Sequence, residues 1–162
     1  MIEALTNPAD NDEWVTLVGR YILNMGSVEM ATRLLISRVL GVPISPVMNE
    51  GLASRIGFIR KRFPQTDQPR HSWAMGVLTV ASKHVVFRNA VAHSGVVYTS
   101  GADGVKHLQG ILNLTPSDTQ KIGELISLDE LKTRVNESAA LGRSMLEMQA
   151  DLPDNSVGGA QQ

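Results

Sequence analysis

RHSWAMGVLTVASKHVVFRNAVAH, residues 70–93, is the stretch on which the fold turns. Trp73, Val77, Val80, His84, Phe87 and Val91 recur at three- and four-residue steps, and Leu78, Ala81, Val85 and Ala92 make a second stripe. Apolar residues at that spacing share a helix face, and two such faces describe a helix enclosed on both sides. Gly95 stands just past its end, where a C-terminal glycine cap falls. A long central helix over about Arg70 to His93 follows.

The same spacing appears on either side of it. Upstream, Trp14, Leu17, Val18, Tyr21, Met25, Val28, Thr32, Leu35 and Val39 predict a helix from Asp10 or Asp12 to Leu40. Asp12 is a suitable N-cap, and Gly41 and Pro43 end the pattern. A second stripe through Ile22, Met25, Ile36 and Leu40 suggests burial on two sides. Leu52, Ile56 and Ile59 set a shorter helix over about Asn49 to Phe63, stopped by PQTDQP. Downstream, β-prone runs flank Ser100–Gly104, which predicts a hairpin within residues 96–112. NLTPSDTQKIGEL is ambiguous: Thr115 and Pro116 suit a helix start, but its glycine opposes one. Ser127 and Glu130 form a capping box that opens a last helix, running to about Ala150.

The expected fold is therefore all-α: a four- to five-helix up-and-down bundle with a small β-hairpin inserted before the last helix. Residues 1–150 are expected to form one domain, and residues 151–162, which lack an apolar pattern, a disordered tail. Composition agrees. Apolar residues make up 43% of the 162, enough for a core, yet only 4% are aromatic, so that core is aliphatic.

Chemistry is limited by what the chain lacks. Without cysteine it has no disulfide framework, thiol nucleophile or thiolate metal site. Its four histidines have no ligand-spaced partners, so neither a metal nor another cofactor is expected. No phosphate-binding glycine loop and no GxSxG elbow occurs. Net charge is −1, which leaves nucleic acid only a local patch to bind. No run of 18 apolar residues and no secretory signal pattern is present, so the expectation is a cytoplasmic protein with no membrane partner.

What remains is Arg88-Asn89-Ala90-Val91-Ala92-His93. An Arg followed five positions later by His arises by chance about 0.25 times in this composition, and Asn directly after the Arg lowers that to about 0.01. Arg and His in a last turn also complement the helix dipole, which is reason enough for their presence in a protein without activity. Asn89 and His93 are four apart and share a face. Arg88 and His93 are five apart, about 140° around an ideal helix. They converge if the Arg side chain bends over, if the helix unwinds, or if two copies pool their groups.

RNAVAH resembles the RNxxxH form of the Rx4-6H motif of the HEPN superfamily, small helical-bundle proteins of toxin–antitoxin and defence systems. The long first helix, with its small residues before Glu29, is also similar, as is the capped closing helix; the hairpin is a departure. The resemblance covers about residues 12–150. It implies a homodimer with a shared cleft that cleaves RNA without metal through 2′-OH attack. Arg88, Asn89 and His93 would be catalytic and Glu29 supporting, orienting Arg88. A cognate antitoxin or nucleotidyltransferase-like partner is a further implication. In such a reaction His serves as general acid or base, and Arg stabilises phosphorane charge. Arg55, Arg60, Lys61, Arg62 and Arg70 form the one basic stretch suited to an RNA backbone, or else a solvated helix face; Arg55, Arg60, Lys61 and Arg62 are the expected RNA contacts. The alternative is a non-catalytic dimeric module of the same kind that binds a nucleotide or a protein partner.

Overall fold

The computed structural model describes residues 8–40, 50–93, 95–100, 102, 106–112, 125–150 and 152. Four helices dominate the described residues: α1 Pro8–Leu40, α2 Leu52–Arg62, α3 Gln68–His93 and α4 Leu128–Ala150. Strands β1 Gly95–Ser100, β2 Lys106–Leu112 and β3 Leu125–Ile126 fall between α3 and α4. The helical class with an insertion before the last helix is thus the observed one.

Local chemistry accounts for the helix ends. α1 starts earlier than the Asp12 cap predicts, because Pro8 suits a first helical position where its missing N–H costs nothing. α2 ends at Phe63, extended at φ −63°, ψ 133°, since the residue before Pro64 is driven out of the helical region. α3 starts two residues before Arg70. Asp67 caps it, its Oδ1 accepting from the Arg70 N–H at 3.3 Å and its carbonyl from the His71 N–H at 2.8 Å. Ser127 caps α4 as its capping-box pattern predicts: Oγ accepts from the Glu130 N–H at 3.2 Å. Asp129 and Glu130 then face the positive end of the dipole.

Internal contacts gather into two compact units, residues 1–23 with 86–137, and residues 24–85 with 138–162. In the first, β1, β2 and β3 form an antiparallel sheet in that order. The hairpin is as expected; the third strand is an addition from the ambiguous segment. A side chain on Gly110 would meet the Ile126 carbonyl oxygen at 2.5 Å and Leu125 Cγ at 2.7 Å, so its lack of one admits β3. The β1–β2 register shifts between Val97 and Tyr98, beside Gly110. Trp14, Tyr21, Phe87, Ala90, Ile111, Ile126 and Leu131 are buried here.

The second unit holds an aliphatic core of Met25, Val28, Leu35, Ile36, Ile56, Ile59, Leu78, Met145 and Met148. Here α1 and α4 run in the same direction. Asn24 donates to Ser138 Oγ at 3.0 Å, a side chain on Gly142 would reach Ser27, and Arg38 donates to the Gln149 carbonyl at 2.9 Å. The α3 stripes shift in detail. Ala74, Leu78 and Ala81 are fully enclosed, whereas Trp73 is half-buried and Val80 exposed. Ile22, expected on a covered second face of α1, is 38% exposed in the single chain. Thr115 and Pro116, and the expected tail apart from Leu152, lie outside the described residues.

Candidate active site

Arg88, Asn89 and His93 occupy the last turns of α3 within the first unit. Arg88 is half-buried and donates through a terminal nitrogen to Asn89 Oδ1 at 3.2 Å. The amide oxygen of Asn89 therefore orients the arginine, although Asn89 shares its helix face with His93. His93 is the final residue of α3, and its side chain is exposed. No hydrogen bond ties its imidazole to Arg88 or Asn89 among the described residues. The chain brings the two polar groups at 88 and 89 together and leaves the third in solvent, as a five-residue separation on a regular helix requires.

Around Arg88 the structure adds groups that the motif does not contain. Phe87 meets the buried Tyr21 edge to face, with centroids 5.2 Å apart and planes at 82°. On α4, the Arg134 guanidinium lies 5.3 Å from the Phe87 ring centre and bonds Glu137 at 3.0 Å. Burial pushes the Tyr21 phenol well above its usual range; Arg134 and Arg88 pull it down and Glu137 pushes it up. Arg88 thus sits in one electrostatic neighbourhood with Tyr21, Arg134 and Glu137. Arg134 and Glu137, three apart on a helix, carry only the ordinary signal of a surface ion pair. Tyr21 reads simply as core.

The other expected residues lie in the second unit. Glu29 Oε2 is 3.9 Å from a terminal nitrogen of Arg55, so its partner is Arg55 and its expected service to Arg88 is not what this contact provides. Arg55 departs from its expected RNA-contacting place. It is 3% exposed, because it shares the inner face of α2 with Leu52, Ile56 and Ile59. Burial, with Arg33 nearby, lowers its pKa, and Glu29 and Glu50 oppose that. Arg60, Lys61 and Arg62 are exposed at the C-terminal end of α2. Arg60 donates to Thr79 at 3.3 Å, and Arg62 stacks on Phe58 at 4.1 Å. Sequence reasoning placed Arg70 in a basic stretch; it stacks on Trp73 at 3.9 Å. His84 is buried, as its apolar stripe predicts.

Among the described residues no group of three His, Asp or Glu side chains could hold a metal ion, and no helix is long and apolar enough to cross a membrane. No family model matches the chain, and no curated protein or solved structure matches it significantly.

Proposed function

We propose that the protein is a metal-independent endoribonuclease of the HEPN kind, with Arg88, Asn89 and His93 at its centre. The observation that carries this reading is the Arg88–Asn89 hydrogen bond beside an exposed His93 at one helix end. A half-buried guanidinium oriented by an amide is a ready phosphate ligand, since its planar fork of donors matches the geometry of phosphate oxygens. A solvent-facing imidazole is free to exchange the protons that 2′-OH attack and 5′-oxygen departure require.

One copy supplies these groups on different sides of α3. A homodimer that faces two such helix ends would pool two arginines and two histidines. Exposed apolar side chains on α1, Val15 at 65% and Leu23 at 74%, support a protein surface that is covered in an assembly. Arg60, Lys61 and Arg62 would contribute sequence-independent contacts to the RNA backbone.

The decisive experiment is RNA cleavage by purified protein in EDTA. Wild type should cut, and Arg88→Ala and His93→Ala should each lose at least 100-fold while keeping the same circular dichroism. An inactive wild type, or a His93→Ala variant as fast as wild type, overturns the reading.

A further inference from the structure

In the second unit, the corner between α2 and α3 holds an open cleft of about 230 Å³. Its apolar side is Phe63 and Leu152, both buried residues, and its polar side is Thr66, Asp67, Arg70 and His71. Such a volume is below the roughly 300–1,000 Å³ of pockets for drug-sized ligands, and suits one small planar group.

Hydrogen bonding narrows the choice. His71 Nδ1 lies 3.1 Å from the Pro64 carbonyl oxygen, which only accepts, so Nδ1 carries the proton. Asp67 engages one carboxylate oxygen on the Arg70 N–H, and its second has no hydrogen bond among the described residues. The cleft therefore offers a ligand a carboxylate acceptor on Asp67, a rotatable Thr66 hydroxyl, and the Phe63 and His71 rings, whose centroids are 6.3 Å apart at 46°. Arg70 brings positive charge to the same lining.

We propose that this cleft binds a nucleobase with an amino edge, guanine foremost, against the Phe63–His71 ring pair. Unstacked bases of single-stranded RNA are held in this way, by aromatic faces and by hydrogen bonds to their edges. A carboxylate accepts from the N1–H and amino group of guanine together, from the single amino group of adenine or cytosine, and finds no amino group on uracil. Arg70, whose guanidinium stacks on Trp73 and donates to the Glu147 carbonyl at 3.5 Å, adds positive charge on the side of the attached phosphate. The base comes from an RNA strand or from a free mononucleotide, and only the first source rests on the ribonuclease reading.

Calorimetric titration of the Arg88→Ala/His93→Ala protein separates these, since that protein cannot degrade its ligand. GMP, AMP, CMP and UMP form one arm, and single-stranded hexanucleotides rich in G or in U form the other. Guanine is expected to bind at least 10-fold tighter than uracil, and Asp67→Asn, which keeps a capping side chain, should erase that preference. Selectivity in both arms identifies a free nucleotide as sufficient; selectivity in the hexanucleotides alone identifies a strand. No base preference in either arm, or a preference that survives both Asp67→Asn and Thr66→Val, overturns the proposal. Cleavage by the wild type is scored separately, so loss of one conclusion leaves the other standing.

Discussion

Glu29 on α1 and Arg55 on α2 form an ion pair at 3.9 Å, with Arg55 almost wholly buried and Glu29 29% exposed. Arg33 adds a second positive charge near Arg55, and the Nε atoms of both arginines are buried without a hydrogen bond among the described residues. Removing one partner of a buried pair strands the other charge, which costs more than the pair itself contributes. Because Glu29 is partly solvated, Glu29→Gln should cost about 2 kcal/mol, less than the fully buried case. Glu29→Gln/Arg55→Met should recover most of that loss. Urea denaturation of the four proteins of this cycle measures it; a double variant less stable than Glu29→Gln contradicts the pairing.

Asn89 holds Arg88 by its amide oxygen, so under the proposed ribonuclease reading its role would be to position the arginine. Asn89→Ala should lower kcat about 10-fold, a typical loss when a catalytic group is no longer positioned. Asn89→Asp keeps an acceptor of the same shape and should restore most of the rate. Single-turnover cleavage of a defined RNA reads this, and equal rates for Ala and Asp at this position would refute a positioning role.

Gly110 has no room for a methyl group, since the nearest obstacle is the backbone oxygen of Ile126, which cannot swing aside as the adjacent Leu125 side chain can. Gly110→Ala should displace β3 and cost about 1–3 kcal/mol, the usual range for forced overpacking. The urea midpoint would fall, and amide exchange near residues 125–126 would speed up while α2 stays protected. An unchanged midpoint would mean that β3 is not packed as described.

Tyr21 makes stability depend on alkaline pH. Burial raises its pKa above the ordinary 10, so the folded protein keeps a proton that the unfolded chain releases. A group of this kind contributes its full stability below pH 10 and loses it as pH rises beyond that value. The expected loss is about 1 kcal/mol between pH 10 and 11, steepening toward about 1.4 kcal/mol per pH unit above that. In Tyr21→Phe that slope should disappear. Thermal unfolding of both proteins at pH 9, 10 and 11 provides the check; parallel losses would exclude Tyr21 as the source.

Much of the fold was legible in particular residues. The three- and four-residue steps from Trp14 to Leu35 predicted α1, Ser127 and Glu130 predicted the start of α4, and the turn-rich Ser100–Gly104 predicted the pairing of β1 with β2. These signals are local: a helical face or a cap needs only the residues within a turn or two. Arg88, Asn89 and His93 could be singled out for the same reason, as neighbours on one helix end.

The tertiary structure decided which partner each charge meets. Arg55 looks like a member of a basic run with Arg60 and Lys61. Its position beside Leu52 and Ile56 turns it inward, to a carboxylate on another helix. β3, two residues long, has too little pattern to be seen without the Gly110 backbone it lies against. The Tyr21–Phe87–Arg134 contacts and the cleft at Phe63 and His71 join residues distant in sequence or aligned only by a helix corner. Periodicity assigns each helix its inner face, because that depends on hydrophobic burial. It does not assign what lies opposite, because that depends on how separate elements pack.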